Sequence, residues 1–230
     1  MNNNIFRRVE QKYLITKDQY TKLFKNIDKY IEPNEFSKST VCNIYFDNDN
    51  NELIINSISK PVYKLKVRLR SYGIPGLDDE VFLEVKTKFK EIVGKRRKKM
   101  SLKEFNDYLI NGVYDKNNQI MREIDYFFKA FNLKPSYFVG YDRKSFQEIN
   151  NPNLRITIDA NLRSRTEDLA LESGDKGKYY FDEERYIMEI KTLGSIPLWL
   201  IKNLSELGIY PVSFSKIGSI YKKDKEECIC

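Results

Sequence analysis

Histidine is absent from all 230 residues. That excludes Ser-His-Asp and Cys-His catalysis, HExxH zinc sites and a phosphohistidine intermediate. A bound metal would have to rest mainly on carboxylates, the chemistry of hard cations such as Mg²⁺ or Mn²⁺. Cysteine is scarce: Cys42, Cys228 and Cys230 form an odd, scattered set with no CxxC spacing. This argues against a disulfide framework and for a reducing compartment. Cys228 and Cys230 read as an exposed pair without a role. No apolar run approaches the ~18 residues that a membrane-spanning helix needs. The opening MNNNIFRRVEQKYLI has no apolar stretch of the signal-peptide kind, so the expected location is cytoplasmic. Neither GxxxxGKS/T nor GxGxxG occurs, so there is no P-loop and no Rossmann fingerprint. Internal repeats and Gly/Ser/Pro-rich linkers are missing as well, and a single domain over residues 1–230 is expected.

What the chain does have is charge. Charged residues make up 32% of it and hydrophobic ones 41%, with a formal net charge of +7. Such a chain is globular and favours anionic partners. Residues 60–100 hold 13 Lys/Arg against 5 Asp/Glu, a local net of +8 that exceeds the charge of the whole chain.

The pattern of apolar residues predicts strands at Phe6–Ile15, Val41–Phe46, Tyr63–Tyr72, Val81–Phe89, Ile92–Met100, Tyr137–Arg143, Leu154–Asp159 and Tyr186–Thr192. Helices are expected after a Thr16/Gln19 capping box, after Ser101/Glu104, over Gln119–Phe131 and from Pro197. Gly73–Asp79 and Ser173–Gly177 look like disordered tips. Together these predict an α+β fold, with an antiparallel sheet of about eight strands closed into a barrel or tunnel and helices packed outside.

The strand YKLKVRLR places Tyr63, Leu65, Val67 and Leu69 on one face and Lys64, Lys66, Arg68 and Arg70 on the other. A wet sheet face with protective lysines would explain one such strand. The pattern recurs, however. Arg8, Glu10 and Lys12 align, as do Glu84, Lys86 and Lys88, Tyr141 and Arg143, Arg155, Thr157 and Asp159, and Glu189 and Lys191. Strands that turn apolar faces to helices gather their charged faces together. An enclosed set of cations needs a polyanion and water. Arg forks and Lys point charges suit phosphate oxygens, and the interspersed glutamates suit a divalent metal that bridges phosphates.

The segments FRRVEQKYLI, STVCNIYFDN, KLKVRLRSYG, VFLEVKTK with GKRRKKM, VGYDRKSF, LRITID, YIMEIK and FSKIGS, in this order, resemble the VTC (vacuolar transporter chaperone) domain. That family is a branch of the triphosphate tunnel metalloenzymes, and the length resembles its stand-alone bacterial type. The resemblance covers nearly the whole chain. It implies a basic tunnel in which inorganic polyphosphate is made from ATP with Mn²⁺ or Mg²⁺. By the same resemblance, Lys12, Arg68, Arg70, Lys86, Arg143, Arg155, Lys191 and Lys216 line the catalytic site. Arg8, Lys66, Glu84, Tyr141 and Ser215 contact substrate, Glu189 is the principal metal ligand and Glu10 supports it. In one place the sequence departs from eukaryotic members: Ser213 stands where they resemble KFSK.

Three functions remain open from the residues. They are an ATP-dependent polyphosphate polymerase, a hydrolase of inorganic triphosphate or nucleoside triphosphate, and a non-catalytic polyphosphate- or nucleic-acid-binding module. The carboxylates on the cationic faces argue against nucleic acid. A membrane-protein partner for polyphosphate export leaves no signal in the sequence.

Overall fold

The computed structural model describes residues 8–59, 62–90 and 92–228, and the side chains of these except those of Arg8 and Phe36. Phe6, Arg7 and Cys230 lie outside the described residues. Among the described residues, nine strands form one antiparallel system: β1 (Arg8–Thr16), β2 (Ile31–Asp47), β3 (Tyr63–Tyr72), β4 (Glu80–Phe89), β5 (Ile92–Ser101), β6 (Lys134–Glu148), β7 (Asn151–Arg165), β8 (Lys178–Tyr179) and β9 (Arg185–Leu193). The helices are α1 (Lys17–Ile27), α2 (Glu52–Ile58), α3 (Leu102–Asn111), α4 (Gln119–Ala130), α5 (Leu198–Glu206) and α6 (Lys216–Glu227). The α+β class and the antiparallel sheet are as expected. Hydrogen-bonded neighbours run β1-β9-β7-β6-β2-β3-β4-β5, with β8 beside β7. β1 and β5 therefore end the order, and no hydrogen-bonded ladder closes the sheet among the described residues. The outer edge of β1 is covered in part by a bridge from Tyr13 to Pro211 and by Val212 N–H donating to the Lys12 carbonyl at 2.7 Å. β5 carries cations on both faces, which keeps an open edge from pairing with another chain.

The chain folds as two compact units, each built from separated segments. The first comprises Met1–Thr40, Tyr141–Leu162 and Tyr179–Phe214. The second comprises Val41–Gly140, Arg163–Lys178 and Ser215–Cys230. Strands β2, β6 and β7 each pass from one unit into the other, so no linker composition marks the division.

In the first unit, α1 starts at the expected capping box. Gln19 N–H donates to Thr16 Oγ1 and the Gln19 side chain accepts from Thr16 N–H. Its Leu23 and Ile27 are wholly buried among Tyr13, Ile15, Leu154, Ile156, Ile158, Met188 and Ile190. Each such side chain is worth about 1.5–3 kcal/mol when fully buried. Trp199 of α5 stacks on Tyr30 at 4.5 Å and donates to Glu148, a packing role.

In the second unit, Leu65, Val67 and Leu69 of β3 pack with Val81, Leu83 and Val85 of β4 against Leu102, Phe105, Met121 and Ile124 of α3 and α4. The capping box Ser101/Glu104 opens α3 as expected. Two helices have no forecast in the sequence. Short α2 is started by Asp47, whose carboxylate accepts from the Leu53 and Ile54 N–H groups at 2.9 Å. α6 is mostly charged and buries only Ile217, Gly218 and Ile220. The expected disordered tips are tied down: Gly76 N–H donates to Asp79, and Arg163 donates to the carbonyl and carboxylate of Asp175 at 2.7 Å.

Candidate functional site

Residues directly opposite in an antiparallel pair point to the same face, so the register converts strand positions into transverse rows. In the second unit one row reads Tyr45, Arg68, Glu84, Arg97 across β2, β3, β4 and β5. The row on one side of it reads Lys66, Lys86, Lys95, and the row on the other side Asn43, Arg70, Phe82, Lys99. All lie opposite the apolar face that meets α3 and α4, because Val67, Leu69, Leu83 and Val85 alternate with them.

Glu84 organises the middle row. Its side chain is only 2% exposed. Arg68 grips Oε2 through Nε at 2.8 Å and Nη2 at 2.7 Å. Arg97 Nε and Lys95 Nζ hold Oε1 at 2.6 and 2.9 Å. Burial opposes ionisation of this carboxyl, but Arg68, Arg70 and Lys95 outweigh it and hold the group well below the usual carboxylate range. Arg68 also donates to the Tyr45 hydroxyl at 3.2 Å. Burial raises the Tyr45 phenol, yet Arg68, Lys66 and Arg70 bring it down to about 8. Arg70, 6% exposed, donates through Nε to Asn43 Oδ1 at 2.9 Å, and Asn43 in turn donates to the Val139 carbonyl. Arg97 lies 4.3 Å from the centre of the Phe82 ring. Lys66 donates to Ser215 Oγ at 2.9 Å, and Ser215 caps α6, whose first residue is Lys216. Lys86 is exposed. Over the rows of Lys66, Arg68 and Arg70 sit Lys66, Arg68, Arg70, Lys86, Lys95, Arg97 and Lys99 against Glu84. Lys99 also contacts Glu80 at the strand start.

In the first unit β1, β9 and β7 give two further rows: Glu10, Lys191, Arg155 and Lys12, Glu189, Thr157. Glu189 is 8% exposed and contacts both Lys191 and Lys12, the latter at 3.9 Å. Lys12 reaches Glu10 at 4.0 Å and donates to the Phe214 carbonyl at 3.2 Å. Arg143 makes a two-pronged bond to Asp159, Nε to Oδ1 at 2.6 Å and Nη2 to Oδ2 at 2.8 Å, and lies over the Tyr141 ring at 5.2 Å. Arg155 is exposed. The backbone of Arg8 pairs with Leu193, while its side chain lies outside the described residues. A cavity of about 560 Å³ in this unit is lined by Tyr20, Arg143, Lys144, Phe181 and Arg185, among others. Glu10, Lys12 and Glu189 are not in its wall, so the carboxylate rows are separate from it.

A hard divalent cation accepts one or two protein carboxylates and completes its shell with phosphate oxygens and water. Glu189 and Glu10, both reached by Lys12, supply that minimum. No group of three or more His, Cys, Asp or Glu able to hold a metal occurs among the described residues. The donor set fits a cation whose shell a phosphate substrate completes, and does not fit a cage made of protein alone.

The sequence-expected residues thus fall into two gatherings. Glu10, Lys12, Tyr141, Arg143, Arg155, Glu189 and Lys191 belong to the first unit. Lys66, Arg68, Glu84, Arg70, Lys86, Ser215 and Lys216 belong to the second. The sequence pattern gives no role to Tyr45, Asn43, Arg97 or Asp159. Only the strand register, absent from a linear pattern, ties them to their partners.

Residues 7–222 match the family model described as VTC domain. Over 167 residues the chain is 26% identical to vacuolar transporter chaperone complex subunit 4 of Trypanosoma cruzi, covering 58% of this chain and 20% of that protein. Over 202 residues it is 25% identical to the subunit 4 of Schizosaccharomyces pombe, covering 74% of this chain and 28% of that protein. The chain therefore spans a quarter or so of these relatives' length. A solved structure of a candidate adenylate cyclase from Bacillus halodurans shares the fold, with a TM-score of 0.55 at 15% identity, covering 90% of this chain and 93% of that one.

Proposed function

The chain belongs to the VTC domain family, and on that premise we propose that it is a metal-dependent polyphosphate polymerase, which transfers the γ-phosphoryl group of ATP to a growing inorganic polyphosphate chain. The observation that carries this reading is the cationic face of the second unit, where seven Lys and Arg side chains share rows with one buried carboxylate. Such a surplus suits a ligand with a charge on every repeat, and polyphosphate is that ligand.

Phosphoryl transfer asks the protein chiefly for positioning and charge neutralisation. Arg68 is aimed by Glu84 and Arg70 by Asn43, so both guanidiniums are set before substrate arrives. Lys66, Lys86 and Lys216 add point charges for successive phosphates. In the first unit Lys12, Arg143, Arg155 and Lys191 would neutralise phosphate oxygens, with Tyr141 under the Arg143 guanidinium. Glu189, with Glu10, would hold Mg²⁺ or Mn²⁺. Such a cation, when bound, withdraws charge from the transferring phosphoryl group. The terminal phosphate of the chain attacks in line and ADP departs, with no covalent protein intermediate.

The test is incubation of the purified chain with ATP and Mn²⁺, followed by separation of products by length. Long acid-labile polyphosphate is expected. Release of free phosphate alone would replace this reading with the hydrolase, in which water takes the acceptor's place on the same residues.

A further inference from the structure

Thr157 stands at the end of the row Lys12, Glu189, Thr157, and its hydroxyl is buried with no hydrogen-bond partner among the described residues. The residue is 5% exposed. Buried hydroxyls are normally paired, and one that is not calls for an explanation. The neighbouring groups are committed elsewhere. Glu189 is held by Lys12 and Lys191, and Asp159, two positions along β7, takes the two prongs of Arg143. Packing alone does not ask for a hydroxyl here, since valine has the same shape and leaves no polar atom to satisfy.

The surrounding charge says what would complete it. The two rows contain Lys12, Lys191 and Arg155 against Glu10 and Glu189, a net of +1. An oxyanion offers oxygens that only accept hydrogen bonds, which matches a hydroxyl whose proton has no acceptor among the described residues. We propose that Thr157 Oγ1 donates a hydrogen bond to a non-bridging oxygen of a phosphate bound beside Glu189, making it a substrate-contacting residue of the first unit. This rests on the polyphosphate reading above. It adds a neutral donor to two rows made otherwise of cations and carboxylates. Such a donor is nearly indifferent to salt, whereas the lysines around it are screened.

The test uses the full chain and inorganic tripolyphosphate as probe. Affinity is measured by titration calorimetry for the wild type, Thr157→Val, Thr157→Ser and Thr157→Ala, each with Mg²⁺ and in EDTA. Thermal unfolding is recorded without ligand. Thr157→Ser should bind within about twofold of wild type, while Thr157→Val and Thr157→Ala bind about tenfold more weakly, the loss of roughly one hydrogen bond. The free Thr157→Val chain should unfold at or above the wild-type temperature, since an unpaired buried hydroxyl has gone. Thr157→Ala keeps the question open to measurement should the valine variant fail to fold. Wild-type affinity in both hydroxyl-free variants overturns the proposal and leaves the hydroxyl to a structural water. A wild-type chain that binds no tripolyphosphate overturns the polyphosphate reading itself, a separate result.

Discussion

Replacing Glu84 by glutamine should destabilise the second unit far more than a surface change. The amide keeps the shape but removes the charge that three cations share. Losing one partner of a buried ion pair costs about 3–5 kcal/mol. Here the Arg68 side chain is 25% exposed, while Arg97 and Lys95 are 36% and 50% exposed, so solvent screens two of the three contacts. The lower end, about 3 kcal/mol, is therefore expected. For a chain of this size that corresponds to a fall in Tm of roughly 6–12 °C. The pH dependence fixes the cause. The folded state holds the Glu84 carboxyl below its ordinary value. Its stabilisation is thus complete above the unfolded value of about 4.3 and is lost as pH falls toward the folded one. Thermal unfolding of wild type and Glu84→Gln should differ fully at pH 7 and converge progressively below pH 4. A gap under about 1 °C at pH 7, or one that does not shrink in acid, would refute the idea that this carboxylate anchors the cations.

Tyr45→Phe should remove a phenolate transition near pH 8 from the ultraviolet titration, because Tyr45 alone among buried tyrosines faces Arg68, Lys66 and Arg70. In wild type the folded phenol ionises before the unfolded one, at about 10, so stability should rise between pH 8 and 10 and the variant should lack that rise. Arg70→Ala should weaken tripolyphosphate binding at least tenfold by calorimetry, given a residue only 6% exposed whose guanidinium is aimed by Asn43; unchanged affinity would mark it as structural. Glu189→Ala should abolish Mn²⁺-dependent turnover of ATP with the far-ultraviolet circular dichroism unchanged; full activity would remove Glu189 from the metal role.

The parts of this molecule legible in its sequence are those governed by local rules. The alternation in YKLKVRLR predicted the burial of Leu65, Val67 and Leu69 in β3, but not the exposure of Tyr63 or the burial of Arg70, and two capping boxes predicted where α1 and α3 begin. Helix α2 escaped because its start is set by Asp47, the last residue of a strand, whose carboxylate reaches forward to Leu53 and Ile54. Helix α6 escaped because its apolar stripe is reduced to Ile217 and Ile220 in a charged segment. The cations of the site stand out in the sequence, and the groups that hold them do not. Tyr45 and Asn43 sit among apolar residues in VCNIYF, and only pairing with β3 sets them beside Arg68 and Arg70. The division into two units was equally invisible, since it cuts through the middle of strands.

The four contacts that saturate Glu84 also bear on speed. Arg68, Lys95 and Arg97 are long side chains, and holding each in one rotamer costs up to about 2 kcal/mol of entropy. That ordering is completed when the protein folds. A polyanion bound there would therefore meet guanidiniums already in position, with no rearrangement to wait for. Its rate of capture should follow diffusion in the field of the cationic face, and slow steeply as ionic strength rises.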